Sequence, residues 1–343
     1  MAGELDLEKA LAKRAKLDPD GDAGTLKLSY DSMKKYLEKH YYPWVQANCP
    51  YFTDHGQAHI AAVINSASEL TQQRLDGKRT DLTAVDIYLI LTAILWHDVG
   101  MVVDRATHVN LIYNMTDDVS EFFPDPTVQS LVSQIASAHK GKKSLDELPN
   151  EDYCTINGPA QQINPALLAS IVRFADEISE NHTRASRQIL DTVPDDQKIF
   201  WLYALSVSSC IAQPKRERVV IDYRFDADKV ISRWPDMEFE AFRSPDDQMI
   251  NLLTYALCRL EKVNNEREYC LRYFSSVAAI REVVARFTIT RGGRLLPGYE
   301  THTTTLKGGG VESGGYPAIR IVDDFYAKHP HWKIEAIEGA IKI

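Results

Sequence analysis

The sequence has 343 residues, of which 44% are hydrophobic and 25% are charged, as in ordinary globular proteins. A formal net charge of −9 argues against a broadly basic surface for nucleic acid or anionic lipid. The five cysteines include no C-x-x-C pair, which indicates reduced intracellular thiols rather than a disulfide framework or a zinc ribbon. The charged N-terminal segment does not resemble a signal peptide, and no uninterrupted apolar run reaches the length of a membrane span. We therefore expect a soluble cytoplasmic protein without a membrane partner.

Helical periodicity dominates the first two thirds of the chain. Apolar residues recur at the spacing of amphipathic helices, and loops such as FPDPT and DELPNEDYCTINGP carry the residues that usually interrupt helices. The pattern predicts helices over residues 5–17, 30–47, 55–75, 82–98, 117–139, 164–182 and 196–212. This part of the chain should therefore form a helical body.

The pattern changes after Cys210. The segments RVVIDYRF (218–225) and REVVARFTIT (281–290) alternate as strands do, and a long amphipathic helix lies between them. A Gly-rich segment follows, and the chain then becomes apolar again. We predict a mainly α protein with a C-terminal α+β appendage. The expected domains are N-terminal helices over 1–47, a helical bundle over 48–213 and the appendage over 214–343.

Several polar residues interrupt helices at positions that should face the core. They are His59, the doublet His97–Asp98, His139 and Asp176. A single buried histidine is most simply explained as a hydrogen-bonded core residue. An ordered series of imidazoles and carboxylates is different, because these groups bind first-row divalent metals, and a cation makes the burial of carboxylates tolerable. The series therefore predicts a metal site.

The same residues resemble the signature of the HD-domain metal-dependent phosphohydrolases, H…HD…D on a helical bundle. His59 begins HIAAV, the doublet His97–Asp98 begins HDVG, and Asp176 lies in RFADEIS, so the resemblance covers residues 50–182. It implies an HD-domain bundle in which these four residues bind a divalent ion. It also implies hydrolysis of a phosphate ester or anhydride of a nucleotide or cyclic nucleotide, with Asp98 orienting the attacking water.

The resemblance suggests roles for three more histidines. Some family members place a second-metal ligand near His139, but Lys140 here replaces a histidine that often follows. We therefore expect one ion, which could be Mn, Ni, Fe, Mg or Zn. His139 is then either a catalytic group near the substrate or a ligand of a weakly held second ion. By analogy with other members, His55 or His108 could be the general acid. Their alternatives are an exposed histidine at a helix start and a loop histidine.

Basic residues near these positions are candidates for binding the substrate phosphate. Arg105 follows the doublet, Lys140 begins the run KGKK, and Arg184 lies eight residues after Asp176 on what is expected to be a continuing helix. The alternative for KGKK is a solvated loop.

The stretches DEISENHTR, WLYALSVSSC and RVVIDYRF resemble a branch of HD proteins associated with bacterial conflict and antiviral defence systems. That resemblance implies a nucleotide-type small molecule as partner, or single-stranded nucleic acid. It is also compatible with a homodimer or a defence-system partner bound through the C-terminal region. Two alternatives remain open, a single-strand-specific nuclease and a non-catalytic interaction module with a structural metal.

Overall fold

The computed structural model describes residues 6–75, 81–140, 144–236, 238–243, 248–308 and 320–342. The described chain is mainly α with a sheet in its C-terminal part, which confirms the predicted fold class. It divides into two compact units. The helical unit comprises Met1–Pro50, His55–Ser179 and Cys270–Ala279, and the sheet unit comprises Tyr51–Asp54, Glu180–Tyr269 and Ile280–Ile343. The domain boundaries expected from the sequence stay a prediction.

The helical unit is built from eight α-helices and a two-stranded antiparallel ribbon within its described residues. They are α1 (Leu7–Leu17), α2 (Asp22–His40), α3 (Tyr42–Asn48), α4 (Gln57–Thr71), α5 (Ala84–Trp96), α6 (His108–Asp117), α7 (Pro126–Ser137), α8 (Pro165–Glu177), β1 (Asp152–Cys154) and β2 (Gln161–Ile163). Helix α5 packs against α1, α2, α4, α7 and α8 and is therefore the centre of this unit.

The sequence of α5 explains its central position. AVDIYLILTAILW is apolar on nearly every side, and every residue from Ile87 to Trp96 is buried. A helix that is hydrophobic all round is stable only when it is enclosed by other elements. The helix begins with a capping box, in which Thr83 accepts a hydrogen bond from the backbone of Asp86 and the Asp86 carboxylate accepts one in return. Helix α5 thus carries the chain through the core to His97 at its end.

Several helix predictions need correction. The helix expected over 117–139 begins only at Pro126, because Asp125 caps it and proline is favoured in the first turn. The helix expected over 30–47 begins at Asp22 and is broken at Tyr41; α3 then begins at Tyr42, with Pro43 in its first turn. The helix expected over 196–212 ends at Ser206, and the chain continues as a strand. Helix α6 was not predicted.

The sheet unit contains the remaining elements. They are α9 (Asp195–Ser206), β3 (Val207–Gln213), β4 (Arg218–Asp226), α10 (Ala227–Val230), β5 (Arg233–Pro235), β6 (Met249–Asn251), α11 (Leu252–Phe274), β7 (Glu282–Arg291), β8 (Arg294–Leu295), β9 (His302–Lys307), α12 (Ile321–Lys328) and α13 (Ile334–Lys342). The final turn of α11, from Cys270, belongs to the helical unit. Both strongly predicted strands, β4 and β7, are present.

The main sheet places β4 between β3 and β7, and β7 also pairs with β8 and β9. Strands β4 and β7 are parallel, with Asp222 opposite Arg286, and the other pairs in this sheet are antiparallel. A parallel pair needs a long crossover, and α11 lies within the connection between the two strands. On one face, Phe287 stacks with Tyr223 and contacts Phe325 of α12, which gives this unit its own aromatic core.

One segment, Ala84–Val102, is long and apolar enough to cross a membrane, contrary to the expectation that no run reaches that length. The structure buries 89% of its most apolar window, as in the core helix of a soluble protein. This segment consists of α5 and the turn that follows the His97–Asp98 doublet, so its apolar character serves the helical core.

Candidate metal centre

The His97–Asp98 doublet lies at the end of α5, in the core of the helical unit. His97 caps the helix and is fully buried, and Asp98 is 6% exposed and precedes a short 3-10 turn over Val99–Val102. His97 Nδ1 lies 2.7 Å from the carbonyl oxygen of Ile94. The neutral ring therefore keeps its proton on Nδ1 for this bond, and the Nε2 lone pair points into the cluster.

Four predicted ligand side chains meet at one point. His59 Nε2 lies 3.1 Å from His97 Nε2, 3.5 Å from Asp98 Oδ2 and 3.2 Å from Asp176 Oδ1. His97 Nε2 lies 3.2 Å from Asp98 Oδ2 and 3.8 Å from Asp176 Oδ1. Helix α4 supplies His59, the end of α5 supplies the doublet and α8 supplies Asp176. The structure thus brings together residues separated by more than 100 positions in the sequence.

This donor set fits a divalent ion. Ligands about 2.1 Å from a metal lie about 3.0 Å apart in an octahedral arrangement and about 3.4 Å apart in a tetrahedral one. Most separations among the four side chains are close to these values. Two imidazole lone pairs about 3 Å apart repel each other unless a cation or a proton lies between them. The residues His59, His97, Asp98 and Asp176 could therefore hold a divalent metal, whose identity the donor types leave open.

Asp98 also faces a second group of donors. Its Oδ1 lies 3.4 Å from His108 Nε2 and 3.6 Å from His139 Nε2, and these two nitrogens are 3.3 Å apart. Each of the two rings directs Nδ1 to the carbonyl oxygen three residues earlier in its own chain segment, at 2.7 Å. Both Nε2 atoms are thereby aimed at the carboxylate. The two oxygens of Asp98 consequently face two sets of imidazoles, and His97, Asp98 and His139 form a further group that could hold a metal ion.

Electrostatics keep both carboxylates ionised. Burial would raise the pKa of Asp98, but the charge of His97 and hydrogen bonds from neighbouring imidazoles hold that pKa well below its usual value. Burial is likewise outweighed at Asp176, where His59 and His97 lower the pKa of the carboxyl. Burial lowers the pKa of His97, yet the two carboxylates overcome it and raise that pKa to about 9. In the absence of metal, a proton on His97 thus balances part of the carboxylate charge.

The pKa values of His108 and His139 are shifted in the opposite direction to that of His97. Burial lowers the pKa of His108 and of His139, and the nearby carboxylate of Asp98 opposes this only in part. Both rings are therefore neutral at pH 7, which is the form that binds a metal or accepts a proton. Asp98 contacts both members of this neutral pair, and the His139 ring also meets that of His97 edge to face, with centroids 4.9 Å apart.

His55 reaches the cluster from the loop before α4. Its Nδ1 lies 3.0 Å from Asp98 Oδ2, and its ring meets that of His59 edge to face with centroids 5.4 Å apart. The expectation that both residues lie on one helix is wrong, because α4 begins at Gln57. The placement of His55 beside the carboxylate nevertheless keeps it within reach of the reacting groups.

Two of the predicted phosphate-binding residues line one pocket. Arg105, half-buried, and Lys140, exposed, surround a pocket of about 490 Å³ together with His108, Asp104, Ala106 and Val109. The remaining lysines of KGKK, Lys142 and Lys143, lie outside the described residues. The pocket combines two permanent cations with one of the cluster imidazoles, an arrangement suited to an anionic group.

Arg184 does not lie on a continuation of α8. The helix ends at Glu177, and Asn181 caps a separate 3-10 turn over His182–Arg184 in the sheet unit. The Arg184 guanidinium donates to the carbonyl oxygen of Asp54 at 2.9 Å and to the Glu180 carboxylate at 3.2 Å. These bonds give it a structural role within its own unit, and its assignment as a phosphate ligand stays a prediction.

The sequence reasoning missed how the His108 loop is held. A Cβ atom added to Gly100 would lie 2.2 Å from the carbonyl oxygen of His108, so only glycine lets the doublet turn pass this close to α6. The Asp104 carboxylate accepts hydrogen bonds from the backbone and hydroxyl of Thr107, just before His108. The glycine in HDVG could have indicated a close backbone contact at this position. Which backbone group approaches it depends on the fold.

Comparison with known proteins agrees with this geometry. A family model described as HD-CE matches residues 49–248 and so includes all four metal-site residues of the H…HD…D series. No curated protein and no solved structure matches the chain. The matched range is more than half of the sequence, and the ligands that define an HD domain meet in the core of the helical unit. The chain therefore belongs to the HD-CE family of HD-domain proteins.

Proposed function

We propose that this protein is a metal-dependent phosphohydrolase that cleaves a phosphate ester or anhydride of a nucleotide or cyclic nucleotide. One observation carries the proposal. The buried donor atoms of His59, His97, Asp98 and Asp176 converge at ligand-like separations beside a pocket that holds Arg105 and Lys140. A divalent ion bound there would lower the pKa of a water molecule and polarise a phosphoryl oxygen.

The carboxylates would orient the attacking water. Asp98 remains ionised because nearby imidazoles lower its pKa, so Oδ1 could accept a hydrogen bond from water while Oδ2 holds the ion. Asp176 is less deeply buried than Asp98, with a side chain 22% exposed against 9%, and can make the same contact from the other side. An ionised carboxylate that accepts a hydrogen bond from a water molecule fixes the orientation of that water. A lone pair of the water oxygen can then point at the phosphorus atom.

The pocket residues would bind the phosphate. Arg105 and Lys140 carry permanent positive charge, which neutralises the oxygens of a phosphoryl group more strongly as charge develops in the transition state. His108 lines the same pocket and reaches Asp98 with Nε2, so it is the imidazole best placed between the phosphate and the carboxylate. Because the His108 ring is neutral at pH 7, we propose that its Nε2 takes up the proton released by the attacking water and passes it to the leaving oxygen, with His55 as the alternative.

A phosphate-release screen tests the proposal directly. The purified chain is incubated with nucleotides, cyclic nucleotides and a labelled single-stranded oligonucleotide, each with Mn²⁺, Ni²⁺, Mg²⁺ or Zn²⁺. The products are separated by chromatography, because hydrolysis of a cyclic nucleotide leaves a monophosphate and releases no inorganic phosphate. The proposal requires hydrolysis of at least one nucleotide or cyclic nucleotide that is lost in Asp98→Ala and kept in Asp236→Asn, a buried carboxylate of the sheet unit. Cleavage of the oligonucleotide alone would favour the nuclease. Bound metal without any hydrolysis would favour the structural-metal module.

The predicted partners remain separate proposals. The resemblance to HD proteins of bacterial conflict systems supports a role in antiviral defence, and the C-terminal sheet unit offers its own surface for a homodimer or a defence-system partner. Measuring the mass of the protein in solution, alone and with products of neighbouring genes, tests this part without reference to the chemistry.

A further inference from the structure

The pocket beside the metal centre has an apolar side as well as a charged one. Arg105 and Lys140 provide its cations, while Ala106 and Val109 add apolar surface to the lining. A pocket for free phosphate would need only the charged side. The combination suits an anionic group that is attached to an apolar one.

Helix α6 extends this apolar side. Tyr113 lies four residues after Val109, so the two side chains are neighbours on the same edge of the helix. Side chains on a helix lean towards its N-terminus, which directs the Tyr113 ring towards Val109 and the pocket. The tyrosine is 39% exposed, and Val103, directly before the lining residue Asp104, is 68% exposed. Exposed side chains with apolar surface thus stand on both sides, in sequence, of the segment 104–109 that supplies most of the lining.

We propose that Tyr113 is a specificity residue that stacks on the base of a nucleotide whose phosphate binds Arg105 and Lys140. A nucleobase is flat and presents an apolar face, and an exposed aromatic ring is the usual surface on which it stacks. The inference rests on the proposed phosphohydrolase function and deepens it, because it assigns the recognition of the base to one side chain. An apolar residue at position 113 without a ring would not serve this role.

The test separates the base from the rest of the ligand. The full-length protein, loaded with Mn²⁺, is titrated calorimetrically at 4 °C with the 5′-monophosphates of adenosine, guanosine, cytidine and uridine, and with ribose 5-phosphate, which lacks a base. Phosphate release is followed in the same samples. The variants are Tyr113→Ala, Tyr113→Phe and, as a control, Tyr153→Ala, an exposed tyrosine on β1 that does not line the pocket.

The proposal predicts that at least one nucleoside monophosphate binds more tightly than ribose 5-phosphate. Tyr113→Ala should weaken the binding of that nucleotide by about tenfold and leave the binding of ribose 5-phosphate unchanged. Tyr113→Phe and Tyr153→Ala should both bind like the wild type. Equal affinities for nucleotides and ribose 5-phosphate would overturn the proposal. It would also be overturned if Tyr113→Ala left both affinities unchanged, or weakened the binding of both ligands equally. Absence of hydrolysis of every nucleotide and cyclic nucleotide in the screen described above would instead count against the hydrolase function.

Discussion

The two units bury carboxylates in different ways. In the sheet unit, Asp236 accepts hydrogen bonds from the backbone of Glu238 and Phe239 and from Arg243. In the helical unit, Asp98 lies within 3.0–3.6 Å of nitrogen atoms that all belong to imidazoles. The first carboxylate has a permanent cation and backbone donors. The second has partners that lose their charge as they deprotonate.

Glu238 confirms the pattern of the sheet unit. Its carboxylate accepts hydrogen bonds from Tyr255 and Lys262 at 2.7 and 2.9 Å, and Arg259 lies 3.2 Å away. Burial would raise the pKa of Glu238, but Arg259 and Lys262 hold it well below its usual value. Such a site is complete without a ligand. Asp98 and Asp176 are instead surrounded by imidazoles that could share a metal ion with them, so the contrast separates a carboxylate with fixed cationic partners from a candidate metal ligand.

Removing one carboxylate from each unit tests this difference most strongly. Asp98→Ala should lower the rate of phosphate release by about a thousandfold, because metal-based stabilisation of several kcal/mol is lost. Asp236→Asn should keep the rate and lower the free energy of unfolding by about 1–2 kcal/mol. Initial rates and thermal melting measure the two effects. An Asp98→Ala variant with full activity would show that the cluster is not catalytic.

The second prediction assigns the general acid. His108→Asn should slow hydrolysis of a substrate with a poor alkyl leaving group by at least about a hundredfold, since such a leaving group needs the proton. Hydrolysis of a p-nitrophenyl ester should change little, because its leaving group is already stable as an anion. His55→Asn is the matched variant. If only His55→Asn shows this difference, the assignment to His108 is wrong.

The third prediction concerns the glycine beside the doublet. Gly100→Ala should force the backbone of His108 away from Asp98 and reduce kcat about tenfold to a hundredfold, as small displacements of reacting groups do. Gly339→Ala on α13 is the control, because its added Cβ meets no atom within 4 Å. It should leave kcat unchanged and stabilise the helix by up to about 1 kcal/mol. Equal kinetics in both variants would contradict a positioning role for Gly100.

The last prediction concerns the pH dependence of the metal-free cluster and of its affinity for metal. The raised pKa of His97 contributes about 3 kcal/mol of stability that is present below pH 6.5 and lost as the pH rises through about 9. The metal must displace the same proton, so its apparent affinity should rise about tenfold per pH unit between pH 7 and 9. Calorimetric metal titrations across this range measure the slope. A flat affinity would show that the ion does not bind at His97.

The ligands could be predicted from the sequence because each interrupts an apolar helix. His59, the doublet and Asp176 stand out against Ile, Val and Leu neighbours, and their order matches a known signature. The strands β4 and β7 were equally clear from their alternation. These features are local, since a few neighbouring residues suffice to define them.

The rest depends on packing between distant segments. The shared contact of His108 and His139 with Asp98 Oδ1 exists only because helices α6 and α7 pack together. Helix α6 itself was missed because NLIYNMTD mixes polar and apolar residues without a long apolar stripe. Arg184 was placed on α8 because nothing in its spacing from Asp176 shows that the helix ends at Glu177.

Anomalous diffraction from crystals of the full-length protein grown with Mn²⁺ tests the central claim most directly. We predict a manganese peak about 2.0–2.3 Å from His59 Nε2, His97 Nε2, Asp98 Oδ2 and Asp176 Oδ1. Soaking with a chelator should remove the peak and leave the carboxylates of Asp236 and Glu238 with their present partners. Ordered density for the four side chains without any anomalous peak would contradict a metal centre in this HD domain.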